Sequence, residues 1–480
     1  MTPVTSAART FLPVALRIED WNSVATYFKE LHERSITSRH ELERWLKDLS
    51  ELDAALSEEG AWRYIRMTSD TRDDAVSKRY NAFVSEVLPE VEQWTDKLQR
   101  KLIADPHVEG LNGEGYPVYL RGIREQLRIF REANVPLQAE LRSMAQEYGT
   151  IMGAMNVQWK GETITLPKAG AILESTDRDE REAIYRLIAE RRALDTVKLD
   201  ELFTAMVKKR QQVAVNAGFD NFRDYMYSAL GRFDHTPADA VAFHESVEKE
   251  VVPVMDRLAK ERKTALGVAS LRPWDLAVDP LGRAPLRPFD SPDELADLAI
   301  SVFEELDPYF ADCLREMRTM GRLDLGSRDG KAPGGYNYPL YETGPPFIFM
   351  NAVGTTSDVI TMVHEGGHAV HSFLTHPLPI TGFKNFPSEV AELASMSMEL
   401  LTMEHWHLIY TDPEELRRAK RDQLERVLSI LPWVATVDAF QHAIYTHPEW
   451  TIKERSKAPV APASTARSSP NSPARRRPSA

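Results

Sequence analysis

Apolar positions along this chain recur mostly every three to four residues, the period of a helix with one buried face. Trp21, Val24, Phe28 and Leu31 keep that spacing, as do Leu42, Trp45, Leu46, Leu49 and Leu52. Phe83, Val87, Trp94 and Leu98 continue it, with Pro89 marking a kink or break. Further helical runs cover 120–130, 137–148, 176–192, a stretch on to 217 that Gly218 stops, 221–230 and 237–266. Between Met155 and Leu166 the pattern changes to alternation around Lys160-Gly161, which reads as a small hairpin. Ser291-Pro292-Asp293-Glu294 supplies an N-cap, an N1 proline and an N3 glutamate for one helix running to Met320. Residues 326–346, rich in Gly, Pro and Tyr, read as loop, and Phe347-Ile348-Phe349-Met350-Asn351 as the best strand of the second half. Helical period then returns over 355–375, 389–411 and 413–445. The pattern predicts a mainly α fold with a small β element.

Composition narrows the class. Hydrophobic residues make up 42% and charged residues 27% of 480, as in a globular protein. No uninterrupted apolar run approaches the roughly 18 residues of a membrane span. The single cysteine, Cys313, rules out an intrachain disulfide framework. Together these predict a cytoplasmic protein with no membrane partner. Net charge is −13, and the segment from Ser456 carries five basic and no acidic side chains, so residues 1–455 carry −18. Such an acidic body argues against nucleic-acid binding.

The chemistry concentrates near residue 360, in His364-Glu365-Gly366-Gly367-His368. His-Glu-x-x-His on a helix is a zinc-hydrolase signature, because positions i and i+4 share a face and both imidazoles can reach one ion. Glu365 can lean over the remaining coordination position and take a proton from a metal-bound water. Met362, Val363, Ala369, Val370 and Phe373 make the segment a buried helix. Two glycines inside it are unfavourable by about 1 kcal/mol each relative to alanine. Close approach of another backbone, such as a peptide substrate, would account for them.

A catalytic zinc needs a third protein ligand and an open position. His371 lies one turn too far along the helix axis to join the first two. The next acidic helix, 388–399, offers Glu389, Glu392 and Glu399 at spacings of three and seven, with Leu393, Ala394, Met396 and Met398 around them. Those apolar neighbours predict a buried face, where a carboxylate needs a partner such as zinc. Asp358 and Glu399 are candidates for groups that orient the imidazoles from behind, with a structural role as helix cap or surface charge as the equal alternative.

His364-Glu365-Gly366-Gly367-His368-Ala369-Val370-His371, followed by Glu392-Leu393-Ala394-Ser395 and Glu399, resembles the oligoendopeptidase F branch of the thimet oligopeptidase family of zinc peptidases. Lys331–Tyr336, Phe347–Asn351 and Val437–His442 carry the resemblance further, and more loosely it covers most of residues 10–455. The resemblance implies one Zn2+ per chain, held by His364, His368 and Glu392, with Glu365 as general base and oligopeptides as substrates. It implies a large helical zincin-type fold with a deep channel between two helical halves: residues 1–195 as an N-terminal helical region and 196–455 as the catalytic domain. Phe347–Asn351 would pair with an extended substrate beside the zinc helix. The expected activity is cleavage of internal peptide bonds. A zinc carboxypeptidase, or a truncated zinc-binding fragment or peptide-binding remnant with impaired catalysis, are the alternatives.

The chain departs from this family near residue 456. Residues 456–480 are rich in Ser, Ala, Pro and Arg and predict a disordered basic tail. The family there continues into helices that supply a Tyr and a His to the tetrahedral intermediate, and neither has a match here. A shifted or truncated reading frame near 456 is the expectation.

Overall fold

The helix-period runs become helices with few exceptions in a computed structural model that describes residues 9–458. Of the tail, Ser456–Ala458 are described, and 459–480 lie outside the described residues. The fold is mainly α, with two small sheets. The N-terminal core forms where Asn22–Glu33, Arg39–Ser69 and Leu88–Ala104 bring Phe28, Trp45, Leu46, Leu98 and Leu102 together, all essentially without exposure. Pro89 does not break its helix; a π-helical turn, Phe83–Val87, precedes it and Pro89 sits in the first turn of the following segment. The hairpin of β1 (Asn156–Trp159) and β2 (Glu162–Thr165) turns at Lys160 (φ 48°) and Gly161 (φ 90°), the left-handed pair that a two-residue turn requires.

Other expected elements differ as well: the helix expected over 389–411 is Ser388–Leu401 followed by a 3-10 segment, Thr402–Leu408. The helix expected over 291–320 is two helices, Pro292–Leu306 and Pro308–Thr319. Asp307 between them is extended and its side chain caps the second by accepting from Tyr309 N–H, while Pro308 removes the N–H that a continuous helix would use. The expected loop over 326–346 contains a strand, β4 (Tyr336–Leu340), which follows β3 (Leu323–Gly326) and pairs antiparallel with β5 (Gly344–Ala352). Lys331 organises that segment. Its buried ammonium donates to the carbonyls of Asp324, Gly326 and Met350 and to Asp324 Oδ1 at 3.0 Å, and it lies 4.3 Å from the centre of the Phe349 ring.

The second core surrounds the motif helix, Thr356–Thr375. Its buried face of Val359, Met362, Val363, Ala369, Val370 and Phe373 meets Phe303, Leu314, Met317 and strand residues Ile348 and Met350. Thr355 and Asp358 start this helix with a reciprocal capping box. Helix Arg39–Ser69 meets the three-stranded sheet where Ala61 and Ile65 pack on Leu340, Phe347 and Phe349.

The glycines serve the chain's own packing, which corrects the expectation of a substrate backbone there. A Cβ on Gly366 would stand 2.7 Å from the Phe303 ring. On Gly367 it would stand 2.9 Å from Ala394 O, Ser395 Cα and Met398 Cβ, in the glutamate helix Ser388–Leu401. Gly367→Ala therefore has to push the two helices apart, and the expected loss is about 1–3 kcal/mol, as for other overpacked cores. Urea unfolding checks it, with Gly149→Ala as control. Gly149 sits inside a helix with nothing within 4 Å of an added Cβ, so that variant should gain about 0.5–1 kcal/mol.

One helix, Pro413–Thr446, is long and apolar enough to cross a membrane by length and composition alone, with mean hydropathy 1.3 over 18 residues. The uninterrupted-run criterion used on the sequence missed it. In the fold it buries Ala419, Gln423, Ala435 and Ile444.

Candidate metal centre

Two adjacent helices build the site. The motif helix puts His364 and His368 one turn apart on one face, with ring centroids 4.9 Å apart and planes at 88°. The glutamate helix, drawn close by Gly367, presents Glu392 to both: Oε2 lies 3.3 Å from His364 Nε2 and 3.9 Å from His368 Nε2. One donor atom from each of the three residues lies within 4.8 Å of the others. Ligands around a single zinc stand at about 2.0–2.2 Å from it, so donors at these separations need only small shifts to share one ion. Two imidazoles and one carboxylate also suit zinc chemically. The residues present fit the metal.

Glu365, 6% exposed, stands beside this trio with its Oε2 bonded to nothing. Burial pushes its carboxyl up to about 7, with the His364 charge opposing and the Glu392 charge adding. Gly335 lies against it, since a Cβ there would stand 3.4 Å from Glu365 Oε1, in ordinary van der Waals contact. Behind His364, Nδ1 is 2.7 Å from Glu399 Oε1, and Glu399 Oε2 accepts from Gln423 Nε2 at 2.7 Å.

Burial opposes a proton on His364, but the hydrogen bonds to Glu392 and Glu399 outweigh it and lift the imidazole to about 9. The charge on His364, after burial itself, holds His368 below its ordinary value. In the metal-free protein the His364 proton thus stabilises the fold. Its contribution is complete below about pH 6.5 and is lost as pH rises to about 9, amounting to about 3 kcal/mol. Urea unfolding of chelator-treated protein at pH 6 and pH 9 measures this. His364→Ala should remove most of the difference.

Other sequence candidates lie differently. Asp358 is a helix cap, accepting from Val353 N, Thr355 N and Thr355 Oγ1 at 2.8–2.9 Å, and orients no imidazole. Glu389 pairs instead with Arg232 at 2.7 Å. His371 stacks on Phe386 at 4.3 Å, away from the trio. The face around Glu392 is open, not buried: Glu392 is half exposed and Leu393 is 68% exposed, while the helix buries Ser395, Met398 and Glu399. The strand Phe347–Asn351 cannot accept a substrate strand. It is part of β5, the middle of a β3-β5-β4 sheet, and both its edges are already paired. Gln423 escaped sequence reading. A glutamine four residues after Ala419 on a core stripe was the one available signal.

A mainly helical fold in which a His-Glu-x-x-His helix packs against a carboxylate-bearing helix is the build of a peptidase. More particularly, the chain belongs to peptidase family M3, whose profile matches residues 171–461, while the peptidase M3 N-terminal domain matches residues 11–130. It is 22% identical over 339 residues to oligopeptidase PepF of Bacillus subtilis (strain 168), covering 67% of this chain and 49% of that protein. It is 23% identical over 309 residues to the chromosomal oligoendopeptidase F of Lactococcus lactis subsp. cremoris, covering 62% and 46%. The chain thus spans about half the length of the curated relatives it matches. Among solved structures, PZ peptidase A with inhibitor 2 superposes with a TM-score of 0.88 at 26% identity, covering 94% of this chain and 80% of that one. A Bacillus anthracis str. Ames protein described as an oligoendopeptidase F gives 0.86 at 24% identity, covering 95% and 82%, which speaks for the fold alone.

Proposed function

We propose that this chain is a zinc-dependent oligopeptidase that hydrolyses internal bonds of short peptides. The observation that carries the reading is the convergence of His364, His368 and Glu392 beside a buried, unpartnered Glu365. His364 and His368 through Nε2, and Glu392 through Oε2, would hold the zinc. When bound, zinc supplies Lewis acidity to the scissile carbonyl and to water. Glu365 Oε2 accepts the proton of the attacking water and delivers it to the leaving amine nitrogen. Glu399 holds the Nδ1 proton of His364 and so directs Nε2 forward. Among the described residues no strand pairs with the outer edge of β4, and its start lies against Glu365, with Asn337 Nδ2 3.5 Å from Glu365 O. That edge replaces Phe347–Asn351 as the strand that pairs with substrate backbone. The channel between the helical halves belongs to the same proposal.

A second reading, a zinc-binding chain without turnover, is favoured by one observation. The glutamate helix leaves Val390, Leu393 and Met396 exposed at 45%, 68% and 40%, an apolar face beside the site. Incubation with an internally quenched oligopeptide, with and without chelator, separates the readings. Chelator-sensitive cleavage supports the peptidase; zinc bound without cleavage supports the second. Release of single C-terminal residues would make it a carboxypeptidase.

A further inference from the structure

The long helix Pro413–Thr446 sends one polar side chain into the interior behind the site: Gln423, with no exposure at all. It lies one turn after the fully buried Ala419, on a stripe where helical pattern calls for an apolar residue. Its amide Nε2 donates to Glu399 Oε2 at 2.7 Å, and Glu399 Oε1 is 2.7 Å from His364 Nδ1. The orientation follows from chemistry, because an ionised carboxylate only accepts and the NH2 end must face it. The other end of the amide, Oε1, is buried with no partner. An unsatisfied buried acceptor is destabilising. Stability alone therefore favours leucine or methionine at this position.

We propose that Gln423 is a positioning residue for the metal centre. It anchors one oxygen of Glu399, so that the other is fixed on His364 Nδ1 and that nitrogen carries the ring proton. When zinc is bound, His364 Nε2, which lies 3.3 Å from Glu392 Oε2 in the metal-free chain, would then present its lone pair to the metal. A glutamate carboxylate held at one oxygen only can swing about its side-chain torsions; held at both, it cannot. The long helix thereby reaches the metal through two hydrogen bonds without touching it. This inference rests on the metal-centre reading above.

Zinc affinity of the metal-free full chain, measured by competition with a chromogenic chelator, tests it. Gln423→Met keeps the volume and removes the donor, and should weaken zinc binding about 10- to 100-fold, as other groups behind metal ligands do. The visible spectrum of the cobalt-substituted protein should shift as well. Because Gln423 acts through Glu399, the Gln423→Met/Glu399→Gln double variant should bind zinc no more weakly than Glu399→Gln alone. A purely structural glutamine would give losses that add, or a lower melting temperature with an unchanged cobalt spectrum, and either result overturns the proposal. So does an affinity within twofold of the unaltered chain. Should Gln423→Met not fold by circular dichroism, Gln423→Leu, which also lacks the donor, carries the same expectation. An unaltered chain that binds no zinc overturns the metal-centre reading itself, and that result appears before any Gln423 variant is made.

Discussion

Glu365→Gln is expected to lower oligopeptide cleavage by about 10³-fold while zinc content stays at the level of the unaltered protein. The size follows from general acid–base catalysis, which contributes typically about 10²–10⁴-fold. The selectivity follows from placement. Glu365 is buried, its Oε2 is bonded to nothing, and it contributes no atom to the His364–His368–Glu392 trio. Glutamine keeps the volume and removes only the ability to take a proton. Burial makes the carboxyl more basic than usual, to about 7, which suits a group that must accept a proton near neutral pH and release it again. The checks are initial rates on a quenched peptide and metal analysis of the same sample. A variant that retains more than a tenth of the rate would remove Glu365 from the mechanism.

Glu392→Gln should do the opposite, stripping the metal and leaving the fold. The side chain is half exposed, and its polar contacts are His364, His368 and Ser395. Its loss therefore opens no core cavity, and at pH 9 and above, where the His364 proton that Glu392 helps to hold is being lost anyway, melting of the metal-free protein should stay close to that of the unaltered chain. Zinc affinity should fall at least about 100-fold, because removing groups merely behind the ligands already lowers it 10–100-fold. Glutamine also takes away the negative charge that offsets zinc's own. The contrast with Gly367→Ala is diagnostic. That change acts on the contact between the two helices and should lower stability and metal affinity together. If Glu392→Gln binds zinc as tightly as before, the trio is not a metal site and the peptidase proposal falls with it.

The motif helix shows how much the sequence could say. His364 and His368 share a face wherever that helix lies, because four residues are close to one turn. Thr355 and Asp358 cap it by local hydrogen bonds, so of the two roles the sequence left open for Asp358, imidazole partner and helix cap, the cap is the one it takes, because the nearer N–H groups claim the carboxylate. The hairpin at Lys160-Gly161 was equally local. The errors arose where two interpretations had the same local pattern. An apolar run such as Phe347–Asn351 reads as a strand whether it is an edge or the middle of a sheet, and only the pairing of β3 and β4 on its two sides decides. Leu393 and Met396 read as core until the packing left that face open.

The sequence by itself determined the periodic and the local: a mainly α chain, the paired imidazoles, the helix caps and the acidic helix that follows. Tertiary structure decided which glutamate meets the imidazoles, what the glycines of the motif make room for, which strand edge is unpaired among the described residues, and that Gln423 stands behind Glu399. Contacts within a few residues are fixed by backbone geometry. Contacts 24 to 35 positions apart, such as Glu399 to Gln423 or His364 to Glu399, depend on how whole helices pack, and no residue's type carries that information alone.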